Sequence, residues 1–106
     1  MKLAMVIYST DSETVWNAFR LGLFALKQGD EVSVFLLANG VECRELDSEK
    51  FRVSETMDDF VAKGGVILAC GTCLKMRHAE ENAVCEISTM QDLYQLVRDS
   101  DKVLTF

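Results

Sequence analysis

The chain has 106 residues, of which 49% are hydrophobic and 26% charged, with a formal net charge of -6. That length bounds it to one domain, residues 1–106, with enough apolar material for a real core, so none of its four cysteines is needed as a staple. The acidic balance excludes direct binding to a nucleic-acid backbone, which needs clustered Lys and Arg, and the absence of proline excludes every fold that sets a cis-Pro beside its active site.

The segment from Met1 to Tyr8 is apolar but gives way to Ser9-Thr10-Asp11-Ser12-Glu13 too soon for a signal peptide or a membrane span. It reads as a first strand over residues 2–8 of a cytoplasmic protein with no membrane partner. Asp11 or Ser12 is placed to cap a helix over residues 13–28. Gly29-Asp30 turns the chain into a second strand over 31–37, which ends at Ala38-Asn39-Gly40, and the polar stretch 41–53 carries no periodic signal. Ser54 or Thr56 can cap a short helix with Met57, Phe60 and Val61 at helical spacing, stopped by Gly64-Gly65. Val66-Ile67-Leu68-Ala69 is the most hydrophobic run and reads as strand three. Cys70-Gly71-Thr72-Cys73 follows, then a helical turn or two through Arg77 or Ala79. A short apolar piece spans 83–87, Ser88 or Thr89 caps a last helix to about Arg98, and 102–106 forms a final strand.

Strands alternating with helices predict an α/β domain with a mainly parallel sheet and right-handed crossovers. In such sheets ligand sites lie beyond the carboxyl ends of the strands. Residues 9–11, 38–40 and 70–73 are therefore predicted to converge on one edge. The first helix carries a second message: Glu13, Asn17, Arg20 and Lys27 form a polar stripe with Phe24 on it, while Trp16, Phe19, Leu23 and Leu26 occupy the remaining surface. A well-buried helix with one stray aromatic and a subunit interface are both compatible with that pattern.

Where thiols stay reduced, a Cys-x-x-Cys pair is catalytic, redox-active or metal-binding rather than structural. Four readings of Cys70 and Cys73 compete. Both could be small buried hydrophobes, although the end of a strand should expose at least Cys70. A thioredoxin-type dithiol conflicts with the order of elements and the lack of proline, but a dithiol on another fold stays open. Cys70-x2-Cys73-x4-His78-x6-Cys85 resembles a zinc string, yet its last spacing is too long and its first two ligands leave a buried strand, so no metal is expected. The fourth reading is a nucleophilic or persulfide-carrying Cys70, its thiolate exposed by the strand end and stabilised at a helix start, with Lys75, Arg77 and His78 as cationic support. Cys73, one turn further on the same face, could resolve a persulfide as a disulfide or merely pack. Cys43 and Cys85 have no motif around them and read as structural.

Several passages carry a resemblance in their order and spacing: a first strand ending in Tyr8-Ser9, Ala25-Leu26-Lys27-Gln28-Gly29-Asp30-Glu31-Val32, Phe35-Leu36-Leu37 before Asn39-Gly40-Val41, and Ala69-Cys70 with Arg77 seven residues after the cysteine. Over nearly its whole length the chain resembles the DsrE/DsrF-like family, which includes the TusD-type subunits of sulfur relays. The resemblance implies a flavodoxin-like α/β fold, here a single-domain three-layer sandwich, assembled into homotrimers or hexamers. It also implies that Cys70, supported by Arg77 and needing no cofactor, accepts sulfane sulfur from a donor protein and hands it to an acceptor protein. Tyr8, Ser9, Asp11 and Asn39 are rim candidates because they end neighbouring strands, and each also has an ordinary capping or turn reading. A Cys70/Cys73 dithiol-disulfide redox protein remains an alternative. So does a non-enzymatic oligomeric binding module in which the thiols are incidental.

Overall fold

A computed structural model of the chain describes residues 1–77 and 85–106. Strands β1 (Lys2–Ile7), β2 (Glu31–Leu36), β3 (Val66–Cys70), β4 (Glu86–Ser88) and β5 (Lys102–Thr105) form one sheet in the order β4-β3-β2-β1-β5, with every neighbouring pair parallel. Strands covered on both faces read as continuous apolar runs, and Leu3 to Ile7 and Val34 to Leu36 are all buried. The two edge strands are short, and β5 has no buried residue.

Right-handed crossovers decide the layers. Helix α1 (Ser12–Lys27) carries the chain from β1 to β2, and α2 (Val53–Ala62) from β2 to β3, both stepping the same way, so both lie on one face. They meet there through Phe19 and Phe60, whose rings stand edge to face with centroids 5.6 Å apart. A methyl group on Gly22 would come within 2.8 Å of the Phe60 ring, so the glycine lets the two helices close. Helix α4 (Met90–Asp99) runs from the β4 edge back to the β5 edge, and the reversed step places it on the opposite face. This is the three-layer α/β sandwich predicted from sequence. The α4 layer is thin: Leu93 and Leu96 pack towards the core, no residue of the helix is buried, and an open cleft of about 540 Å³ separates it from Ser33 and Leu68.

The helix ends follow the sequence closely, with one exception. The Asp11 carboxylate accepts the Thr14 N–H at 2.9 Å and caps α1, and Thr89 forms a reciprocal capping box with Asp92 at α4. Gly29 and Gly64, at φ of +90° and +98°, end α1 and α2. Neither Ser54 nor Thr56 caps α2; the capping residue is Arg52, with no side-chain bond. Ser54 instead gives its N–H and hydroxyl to Asp47, holding that carboxyl below the usual carboxylate range. The reason lies in the unassigned stretch, where Ala38–Glu45 forms a 3₁₀ segment that buries Val41 and Cys43 and brings Asp47 to the helix. The end predicted at Ala79, and the start of the 83–87 piece, lie outside the described residues; from Glu86 onward that piece is β4.

Gly40 sets the close approach on which the sheet edge depends. A Cβ there would stand 2.1 Å from the Ile7 carbonyl oxygen and 3.1 Å from the Tyr8 Cα, so the exit of β2 lies directly on the exit of β1. Because the obstacle is backbone, Gly40→Ala should destabilise the fold by about 2–4 kcal/mol. In thermal denaturation this is a fall in Tm of roughly 10–20 °C, and an unchanged Tm would show that the two exits are free to separate.

Candidate functional site

Parallel pairing carries the strands out on one edge, and the cysteine pair sits there. Leu36 pairs with Ala69, so the chain leaving β2 at Leu37 runs beside the chain leaving β3 at Cys70. Cys70 ends its strand and caps α3 (Gly71–Met76), with its Sγ accepting the Cys73 N–H at 3.4 Å. The Cys73 Sγ in turn accepts the N–H of Ala38, on the neighbouring strand exit, at 3.3 Å. Two sulfurs and two amides from three segments thus form one small cluster.

Arg77 locks the cluster from the outside. Its Nη1 donates to the Cys73 carbonyl oxygen at 3.2 Å, while Nε and Nη2 donate to the Asn39 Oδ1 at 3.1 and 2.7 Å. Glu42 lies 4.0 Å from the guanidinium as an ion-pair partner. This ties the 3₁₀ segment to α3 and holds Cys73 between them. Burial pushes the Cys73 thiol above its ordinary value, and a hydrogen bond to the Cys70 sulfur adds to that. The Ala38 amide and the Arg77 charge act in the opposite direction.

The predicted site residues divide into two groups. Cys70, Cys73, Arg77 and Asn39 are brought together. Asp11 spends its carboxylate on the Thr14 N–H and hydroxyl, and Ser9 accepts the Asp11 N–H, which is the capping and turn chemistry open to them from the start. Tyr8 is 52% exposed, and its N–H donates to the Phe106 carbonyl. Among the described residues no hydrogen bond joins Tyr8, Ser9 or Asp11 to either cysteine.

One expectation needs correction. Cys70 is 4% exposed rather than open, because β4 runs alongside with Ser88 opposite Cys70, and α3 starts with no intervening loop. The half-buried member of the pair is Cys73. The helix after the motif is six residues long and is capped by Arg77, the turn or two expected there. Of the other predicted cations, Lys75 is exposed and His78, which is also the third ligand of the zinc string, lies outside the described residues. Among the described residues no three His, Cys, Asp or Glu side chains could hold a metal ion. Cys43 is fully buried, gives its S–H to the Met57 sulfur at 3.8 Å, and is pushed up to about 12 by burial and by Cys85. Sequence reasoning placed Ala38 at this edge but missed its conformation, and it missed Glu42. A φ of +52° is a conformation that Asn or Gly would advertise.

The chain has relatives of nearly the same length. It is 34% identical to the protein MJ0989 of Methanocaldococcus jannaschii over 114 residues, covering 100% of both chains. Over 100 residues it is 34% identical to MK0008 of Methanopyrus kandleri, covering 89% of this chain and 83% of that one. Its fold is that of the YchN protein from E. coli, with a TM-score of 0.89 and 24% identity over 100% of this chain and 99% of that chain. A protein of unknown function from Bacteroides thetaiotaomicron, BT1422, superimposes with a TM-score of 0.81 and 17% identity over 99% and 94%. The DsrE/DsrF-like family matches residues 1–106, so the chain belongs to that family.

Proposed function

We propose that the protein is a sulfur-relay carrier that holds a persulfide on Cys70 and passes the sulfane sulfur to a partner. The observation that carries this reading is the placement of the Cys70 sulfur at the end of β3, where it accepts an amide hydrogen and lies beside a second thiol. In the loading half of the cycle a thiolate of the cysteine pair takes the outer sulfur of a donor persulfide, and that sulfur ends on Cys70. The donor S–S bond breaks, the donor thiolate leaves, and a Cys70 persulfide forms. An acceptor thiolate then attacks the same outer sulfur, which frees Cys70. Each step makes one S–S bond and breaks one, so no oxidant or reductant is consumed. The extra sulfur extends the side chain by about 2 Å beyond the original sulfur.

The carrier reading includes self-assembly into a homotrimer or hexamer. Two exposed apolar faces support it. On the outside of α1, Phe24 is 60% exposed within a groove of about 730 Å³ flanked by Arg20, Lys27 and Lys63. On α4, Met90, Tyr94 and Val97 form an exposed stripe at helical spacing, on the face turned away from Asp92 and Asp99, which line the cleft between the helix and the sheet. A head-to-tail contact between unlike faces closes into a ring when the rotation allows.

Incubating the reduced protein with a persulfide donor and taking its intact mass tests the chemistry. Wild type should gain one sulfur, which peptide mapping finds on Cys70 at completion. Cys73→Ser should still reach that state, and the Cys70→Ser/Cys73→Ser double variant should gain nothing. Loss of two hydrogens instead of a gain would make the protein a dithiol switch, and no change in the wild type would sink the carrier. For assembly, light scattering on a sizing column should give three or six chains, with Phe24→Glu reducing the mass; a single-chain mass for the wild type contradicts the ring.

A further inference from the structure

Cys70 and Cys73 differ in what can reach them. Cys70 is 4% exposed and pairs through its strand with Ser88, so an external persulfide cannot line up with its sulfur unless the edge opens. Cys73 is half-buried, and its sulfur lies at the border between α3 and the β2 exit. The backbone is bent to serve that sulfur. Ala38 holds a φ of +52°, unfavourable for an alanine, and its N–H points at the Cys73 Sγ from 3.3 Å. Arg77 fixes the same residue from the other side through its carbonyl oxygen, and Asn39 and Glu42 fix Arg77. These bonds tie the 3₁₀ segment to α3 and hold the Cys73 sulfur at the margin of the core cluster, which includes Cys70 and Leu74.

We propose that Cys73 is the entry station of the site: the external donor delivers sulfur to Cys73, and the sulfur then passes within the chain to Cys70. The inference rests on the carrier reading above. The Cys73 thiolate attacks the outer sulfur of a donor persulfide, the donor S–S bond breaks, and the donor thiolate leaves. The Cys70 sulfur next attacks the outer sulfur now on Cys73. A Cys70 persulfide forms, the Cys73 S–S bond breaks, and the proton of the Cys70 thiol ends on the Cys73 sulfur. Both steps exchange one S–S bond for another. Contact between the two residues within one helical turn, with the Cys73 N–H on the Cys70 sulfur at 3.4 Å, supplies the proximity that the second step requires.

Time-resolved quenching tests the order. The full chain is mixed with glutathione persulfide, stopped with iodoacetamide at intervals, and mapped by peptide mass. In the wild type the sulfur should appear on Cys73 first and on Cys70 later, and Cys70→Ser should retain it on Cys73. Cys73→Ser and Cys73→Ala should load Cys70 to the same final stoichiometry but roughly tenfold more slowly, since the buried thiol must wait for local opening. Circular dichroism of both variants separates this from misfolding. Loading of Cys70 at the wild-type rate in both Cys73 variants overturns the proposal, as does a Cys70–Cys73 disulfide formed with release of hydrosulfide. Wild-type protein that takes up no sulfur at all overturns the carrier reading, and the entry station with it.

Discussion

The parallel pairing of β2 with β3 fixes the distance between the 3₁₀ segment and the cysteines. With Leu36 opposite Ala69, the next residues on each strand emerge side by side, and the Ala38 amide meets the Cys73 sulfur. A slip of one residue would turn every side chain of the strand to the other face and destroy the buried core, so the register is held by burial. β1 joins the same edge because Gly40 admits the Ile7 carbonyl where any side chain would collide with it. The core's packing thus places Cys70, and the bonds of Arg77 to Asn39 and to the Cys73 carbonyl oxygen then tie the 3₁₀ segment to α3 across it.

Three cysteines of the 3₁₀ segment and the Cys-x-x-Cys motif sit in three different environments. Cys43 is sealed, paired with Met57 and held as a thiol. Cys70 lies at the inner wall of the edge, and Cys73 at its outer margin. Reactive sulfur needs both access and a partner for developing charge. Here amides from Ala38 and Cys73 reach the sulfurs, whereas the Arg77 guanidinium is engaged by Asn39 and Glu42. Arg77 is therefore better described as a positioning residue for Cys73 than as a direct partner of Cys70.

Much of this was legible in the chain. Continuous apolar runs marked the inner strands, since only strands covered on both faces can afford them. Asp11, Gly29, Gly64 and Thr89 marked helix ends through their own chemistry, and Phe24 on a polar stripe marked the exposed face of α1. Cys70 at a strand end was visible for the same reason. Its burial was not, because β4 is a three-residue strand preceded by a stretch with little periodicity. The 3₁₀ segment was illegible because its buried residues, Gly40, Val41 and Cys43, follow neither a period of 3.6 nor of 2. Ala38 was placed at the edge by its strand end, but its conformation could not be read, since it contradicts its residue type.

The most direct test of the account is the fate of sulfur leaving the protein. Wild-type protein loaded with isotopically labelled sulfane sulfur is desalted and mixed with an acceptor thiol, and both are followed by mass. The account predicts that the label moves to the acceptor as a persulfide while Cys70 returns to a free thiol. Label released as hydrosulfide, with the chain left as a Cys70–Cys73 disulfide, would contradict it.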